Sequence, residues 1–288
     1  MIANVAGEME AKKVSPKATR KKRGHAPLLV AVTSGKGGVG KSTMCVNLAV
    51  DFVRRGRKVL VVDGDLGLAN IDIMFGIKPK YNFSHLISGE KSIEDIIVKG
   101  PGGTYVLPAS SGLSHLADLD SDQQMHIIQQ LETLENSFDV ILIDTAAGIG
   151  SSVLNFAASA QYVLVVVNHE PTSLADSYAL IKVLRQKHNI KRFQLVVNST
   201  ENDRAALRVY QTLSDIADNF IDVVIDYLGA IPKDPNISRS IATQRPFIDM
   251  FPSSASTVAL KNLADALLAK RAKVGQEETP IFWSRIIE

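Results

Sequence analysis

The sequence is poor in cysteine, with Cys45 the only one among 288 residues. A lone thiol excludes an intramolecular disulfide and any cysteine-ligated zinc or iron–sulfur centre built by one chain. Tryptophan is as scarce, Trp283 standing alone near the C-terminus. No apolar run approaches the roughly 18 residues that span a bilayer, and the N-terminal stretch lacks the apolar centre of a secretory signal. A cytoplasmic protein is therefore expected, not an integral membrane one. No segment repeats, which argues against a tandem-duplicated architecture. The six histidines are scattered, with no Ser-His-Asp constellation, and read as structural or surface residues.

The content of 45% hydrophobic and 22% charged residues is that of a globular domain, and the length suits one large α/β unit better than two units and a linker. The net charge of +2 hides an asymmetry. Lys12, Lys13, Lys17, Arg20, Lys21, Lys22 and Arg23 all precede the first strand, against Glu8 and Glu10. Residues 1–27 read as a basic, disordered arm, 28–273 as the folded domain and 274–288 as a tail. Such an arm is more often solvated than bound, although anionic lipid, nucleic acid or an acidic partner could each meet it.

An apolar, β-branched run of strand length occurs at 28–33, a second strand reads at 58–63, and later strands are suggested at 105–108, 139–144, 162–168, 193–198 and 226–231. Segments of helical period intervene at 42–55, 121–136, 172–187, 202–219 and 254–273. The last carries Leu260, Leu263, Ala264, Leu267 and Leu268 on one stripe, read as core. Alternation of this kind predicts an α/β fold, with a mostly parallel twisted sheet and helices on both faces.

Residues 35–42 read Gly35-Lys36-Gly37-Gly38-Val39-Gly40-Lys41-Ser42, a full G-x-x-x-x-G-K-[ST] pattern between a strand and a helix. The glycines let backbone N–H groups turn toward phosphates, the helix N-terminus adds a positive dipole end, and Lys41 reaches the β- and γ-phosphates. Ser42 can ligate Mg²⁺, and Thr43 follows it in the first helical turn. Lys36 is an extra lysine that an ordinary phosphate loop does not require. It could serve its own phosphates or reach across a symmetric dimer.

Asp63 and Asp65 end the second strand, at the carboxyl edge where ligands of open α/β folds bind. A competing reading is that they cap the helical turn that follows. Four apolar residues lead into Asp144, followed by Thr145-Ala146-Ala147-Gly148-Ile149. That pattern fits a Walker B strand whose aspartate holds Mg²⁺ through its water shell, with small residues letting the backbone approach a γ-phosphate.

Residues 34–42 resemble the deviant Walker A motif of the MinD/ParA class of P-loop ATPases. Asp65-Leu66-Gly67-Leu68-Ala69-Asn70-Ile71-Asp72, with SGE (88–90), GPGG (100–103), DTAAGIG (144–150), EPTS (170–173), YALIK (178–182) and GAIPKD (229–234), resembles the FlhG/FleN flagellar-number regulators of that class. The resemblance spans about residues 28–270. It implies an ATP- and Mg²⁺-dependent ATPase that dimerises with ATP, in which Lys36 acts in trans, Asp65 positions the attacking water and Asp63 lies near the metal. It also implies a base site at Asn198 and the backbone around Pro232, although an asparagine after a strand is as often a turn residue. The partners it implies are an FlhF-type GTPase or a σ54-dependent flagellar transcription activator, or both. The N-terminal Asp-Gln-x-x-x-Leu-Arg element that some members use on the GTPase is missing from this sequence.

As a helix, the tail would group Phe282, Trp283, Ile286 and Ile287 against Ser284, Arg285 and Glu288. This is an interfacial pattern that implies weak membrane-surface contact, reinforced by dimerisation, or docking on the protein's own surface. The alternatives are a MinD-like division-site ATPase and a ParA-like ATPase that positions DNA or cargo. Specific nucleic-acid binding is not expected.

Overall fold

Strand β1, Leu28–Ser34, is buried at all seven positions, as a strand covered on both faces must be. In this computed structural model the described residues are 27–65, 70–108, 125, 127, 129–132 and 137–273. Residues 1–26, 66–69 and the 274–288 tail lie outside them, and so does most of the 121–136 segment, of which 125, 127 and 129–132 are helical.

After β1 come α1 (Lys41–Arg54), β2 (Val59–Gly64), three short helices α2 (Ile71–Phe75), α3 (Phe83–Ile87) and α4 (Ile93–Ile96), then β3 (Val98–Lys99) and β4 (Tyr105–Leu107). The second half runs β5 (Val140–Ala147), α5 (Ser151–Ser159), β6 (Tyr162–Val167), α6 (Pro171–His188), β7 (Arg192–Thr200), α7 (Asp203–Phe220) and β8 (Val224–Pro232). It closes with α8 (Pro235–Ala242), α9 (Phe247–Met250) and α10 (Ala255–Lys273). The eight strands form one sheet in the order β3-β4-β2-β5-β1-β6-β7-β8. Every pair is parallel except β3 with β4, so the mostly parallel sheet expected from the alternating pattern is found.

Period-2 alternation divides β1 between the two faces. Leu28, Val30 and Val32 join α1, α9 and α10 in one core. Leu29 packs on the other face with Phe83, Ile96 and Phe156, and Ala31 with α5, α6 and α7. The stripe on α10 is core, with Leu260, Leu263, Ala264 and Leu267 all buried. Cys45 is buried in α1, and burial pushes its thiol pKa well up, which leaves an inert side chain.

This order sets β1 between β5 and β6, with β2 beyond β5. The carboxyl ends of β1, β2 and β5 are therefore neighbours, and they carry the phosphate-loop sequence, Asp63 and Asp144.

Candidate nucleotide site

Residues 35–40 connect β1 to α1, with Gly38 and Gly40 at positive φ of 78° and 93°. The loop is tightly enclosed on one side. A Cβ on Gly35 would lie 2.1 Å from the Asp176 carbonyl carbon in α6, so only glycine fits. Val39 is buried while Gly37 and Gly38 are exposed, giving the loop one anchored end and one open face. Lys41 opens α1, with Ser42 and Thr43 in its first turn, and Gly40 is its N-cap with no side chain to offer. The unfilled N–H groups of such a terminus suit an anion.

Lys41 Nζ lies 3.1 Å from Asp144 Oδ1, both groups buried. Burial raises the Asp144 pKa, while the Lys41 charge and hydrogen bonds from Ser42 and Lys41 oppose the rise. The parallel register pairs Asp63 on β2 with Asp144 on β5. Burial and then the Asp144 charge push the Asp63 pKa up to about 7, against hydrogen bonds from the Asp65 and Ile71 backbone. Those N–H groups donate to Asp63 Oδ1 and Oδ2 at 3.3 and 3.4 Å. Asp63 thus accepts from the backbone on both sides of the segment that runs to α2, whose N-cap position is Asn70.

The buried Asp144 Oδ2 has no hydrogen-bond partner, while the Asp144 carboxylate as a whole has the Ser42 hydroxyl and, in register on β2, Asp63 as neighbours. Hard oxygen donors of this kind around an unsatisfied carboxylate oxygen fit Mg²⁺.

Lys36 lies away from this cluster. Its Nζ donates to the Glu170 carboxylate and, at 2.8 Å, to Thr172 Oγ1, both at the start of α6. Asn198, at the end of β7, donates from Nδ2 to the Val39 carbonyl at 2.7 Å. Pro232 lines a cleft of about 340 Å³ with Thr200, Asn202, Ala255, Val258 and Asn262. Asn198 and Pro232 thus stand at the sheet's carboxyl edge but serve different surroundings.

A family model described as an AAA domain matches residues 28–200, which takes in both carboxylate strands and the loop. The chain is 40% identical to the antiactivator FleN of Pseudomonas aeruginosa over 83% of its own length and 86% of the relative's. The chain belongs to the FleN/FlhG branch of the MinD/ParA family of P-loop ATPases. It is accordingly an ATP-binding ATPase, the activity expected from the motifs. A further member, the flagellum site-determining protein YlxH of Helicobacter pylori, is 31% identical over 87% of the chain and 85% of that protein. Among solved structures, the septum site-determining protein MinD of Pyrococcus horikoshii complexed with Mg-ADP matches with a TM-score of 0.64. Identity there is 26%, covering 85% of this chain and 98% of that one.

Glu170 and Thr172 were legible as part of EPTS but not as the partners of Lys36, since nothing local joins positions 134 residues apart. Asn202 carried a signal of its own, an asparagine ahead of a helical run, and its side chain does cap α7 by accepting from Ala205 N.

Proposed function

We propose that the chain is an ATP-gated dimerising switch that regulates flagellar number or placement through partner proteins. The observation that carries this reading is the separation of the two loop lysines. Lys41 is buried against Asp144, whereas Lys36 is half-exposed and held by Glu170 and Thr172. One lysine serves its own site, and the other reaches a second chain's nucleotide once it leaves Glu170 and Thr172.

In this reading Gly35 to Thr43 cradle the triphosphate, with Lys41 neutralising charge on the β- and γ-phosphates. Ser42, Asp63 and Asp144 form the Mg²⁺ set, and the metal supplies further charge neutralisation when bound. Asp65 orients the attacking water, Lys36 completes the partner's site, and the base lies near Asn198 and Pro232. Phosphoryl transfer of this type needs positioning and electrostatic stabilisation and no covalent nucleophile. Hydrolysis removes the γ-phosphate and separates the subunits, as in other nucleotide switches.

The names of the Pseudomonas and Helicobacter relatives, an antiactivator and a flagellum site-determining protein, support a flagellar role. Our reading takes an FlhF-type GTPase, a σ54-dependent flagellar activator, or both, as partners. It keeps 28–273 as the ATPase domain, with a basic arm before it and a tail that adds weak lipid contact. No helix of the described residues is long and apolar enough to cross a membrane.

Light scattering with ADP and with ATP tests the switch. A dimer that forms with ATP, persists in Asp65→Ala and is lost in Lys36→Ala is expected. A mass that ignores nucleotide would overturn the reading.

A further inference from the structure

The end of β7 is irregular where it meets the phosphate loop. Val197 pairs with Ala230 and Thr200 with Pro232, so β7 holds one residue more than β8 over this stretch. The extra residue makes a bulge, and Ser199 within it has a φ of 55°, a left-handed conformation that a serine adopts only when its surroundings hold it there. Bulges of this kind re-aim the side chains beside them. Here the neighbour is Asn198, and its Nδ2 reaches the Val39 carbonyl at 2.7 Å. A carbonyl only accepts, so the amide orientation is set by its partner.

Two further observations tie this amide to the loop. A Cβ placed on Gly40 would lie 2.2 Å from Asn198 Nδ2, so the side chain fills the space that a larger residue at 40 would need. Gly40 also has a φ of 93° and caps α1 without a side-chain hydrogen bond. In a trans peptide the C=O and N–H point in opposite directions. Holding the Val39 carbonyl therefore also sets the direction of the Gly40 N–H, one of the donors that a phosphate needs at this turn.

We propose that Asn198 is a positioning residue for the phosphate loop: its amide pins the Val39–Gly40 peptide in the orientation that receives the phosphates. The proposal rests on residues 35–42 being the phosphate site, as read above, but not on Asn198 touching the base. It links the far end of β7 to the phosphate end of the site, and it accounts for glycine at 40 by a contact as well as by φ.

The test compares two ligands on the full chain in excess Mg²⁺, tripolyphosphate, which has no base, and ADP, which has one. Loss of one well-placed hydrogen bond is expected to weaken tripolyphosphate binding about fivefold or more in Asn198→Ala, measured by calorimetry. Asn198→Ser, too short to reach Val39, should behave alike, and circular dichroism checks that both fold. In a double-mutant cycle Gly40→Ala should cost less in the Asn198→Ala background, because the occupied space has been cleared. Unchanged tripolyphosphate affinity in both folded Asn198 variants would overturn the proposal, and so would strictly additive losses in the cycle. The base-contact reading fails separately, if ADP loses no more affinity than tripolyphosphate does.

Discussion

Lys36 bonds to Glu170 and Thr172 of its own chain across 134 and 136 residues of sequence, and not to the Asp144 carboxylate that holds Lys41. The hydrogen bond and charge of Lys36 hold the Glu170 carboxyl below its usual range. Lys36 cannot remain on this partner and also extend to a nucleotide in a second chain. The contact therefore competes with the trans role proposed for it.

Glu170→Gln should accordingly release Lys36 and lower the ATP concentration needed for half-maximal dimerisation. The pair is half-exposed, so the gain is modest and shrinks in high salt. Light scattering across an ATP titration at two salt concentrations measures it, and a dimerisation midpoint moving to higher ATP would contradict the competition.

Asp63 and Asp144 face each other in register on adjacent strands, both buried. Two like charges in that position cost stability in the nucleotide-free protein. Asp63→Asn removes that repulsion at the cost of one of the two long backbone bonds from Asp65 and Ile71, so it should raise thermal stability by about 1 kcal/mol or less, while ATP turnover falls at least about tenfold. Thermal melts beside phosphate release assays read both effects, and a variant that melts lower would count against the electrostatic account.

Asp226 on β8 gathers Lys270 Nζ at 2.8 Å, Arg192 Nη1 at 3.0 Å and Gln194 Nε2 at 3.1 Å. Partial burial raises its pKa, but bonds from Lys270, Gln194 and Arg192 outweigh it and hold the carboxyl below its usual range. Asp226→Asn should loosen α10 from β8 and cost about 1 kcal/mol near neutral pH. A depressed carboxyl pKa stabilises the fold above the unfolded value. The gap between wild type and variant should therefore be full above about pH 4 and close as pH falls through the lower folded value. Urea melts at pH 7 and pH 3 check this, and a gap that widens in acid would refute it.

The parts of the fold legible from the sequence were those whose local signal matches their burial. Strands such as those at 139–144 and 162–168 carry continuous apolar runs, at 140–143 and 163–167, because both faces of a parallel sheet are covered. The phosphate loop declares itself through glycines that the turn requires. Helices α2, α3 and α4 were not read, since four or five residues are too few to show a helical period. β3 has only two residues and is defined by its antiparallel pairing with β4, and α8 is a short helix begun by Pro235. At the site, Lys41 with Asp144 was legible as two motifs of one mechanism. Lys36 with Glu170, and Asn198 with Val39, were not, because such contacts arise only when strand order brings distant segments to one edge.

The central claim is that each active site uses a lysine from the other chain, and mixing two inactive variants tests it most directly. Lys36→Ala retains its own Asp65, and Asp65→Ala retains its own Lys36. In a mixed dimer the site on the Lys36→Ala chain would combine its own Asp65 with the partner's lysine, and so be complete. The account predicts that each variant alone hydrolyses ATP slowly, whereas an equimolar mixture recovers a substantial fraction of wild-type turnover, rising with protein concentration as dimers form. A mixture no more active than the mean of its components, although mixed dimers form, would contradict it and return Lys36 to its own site.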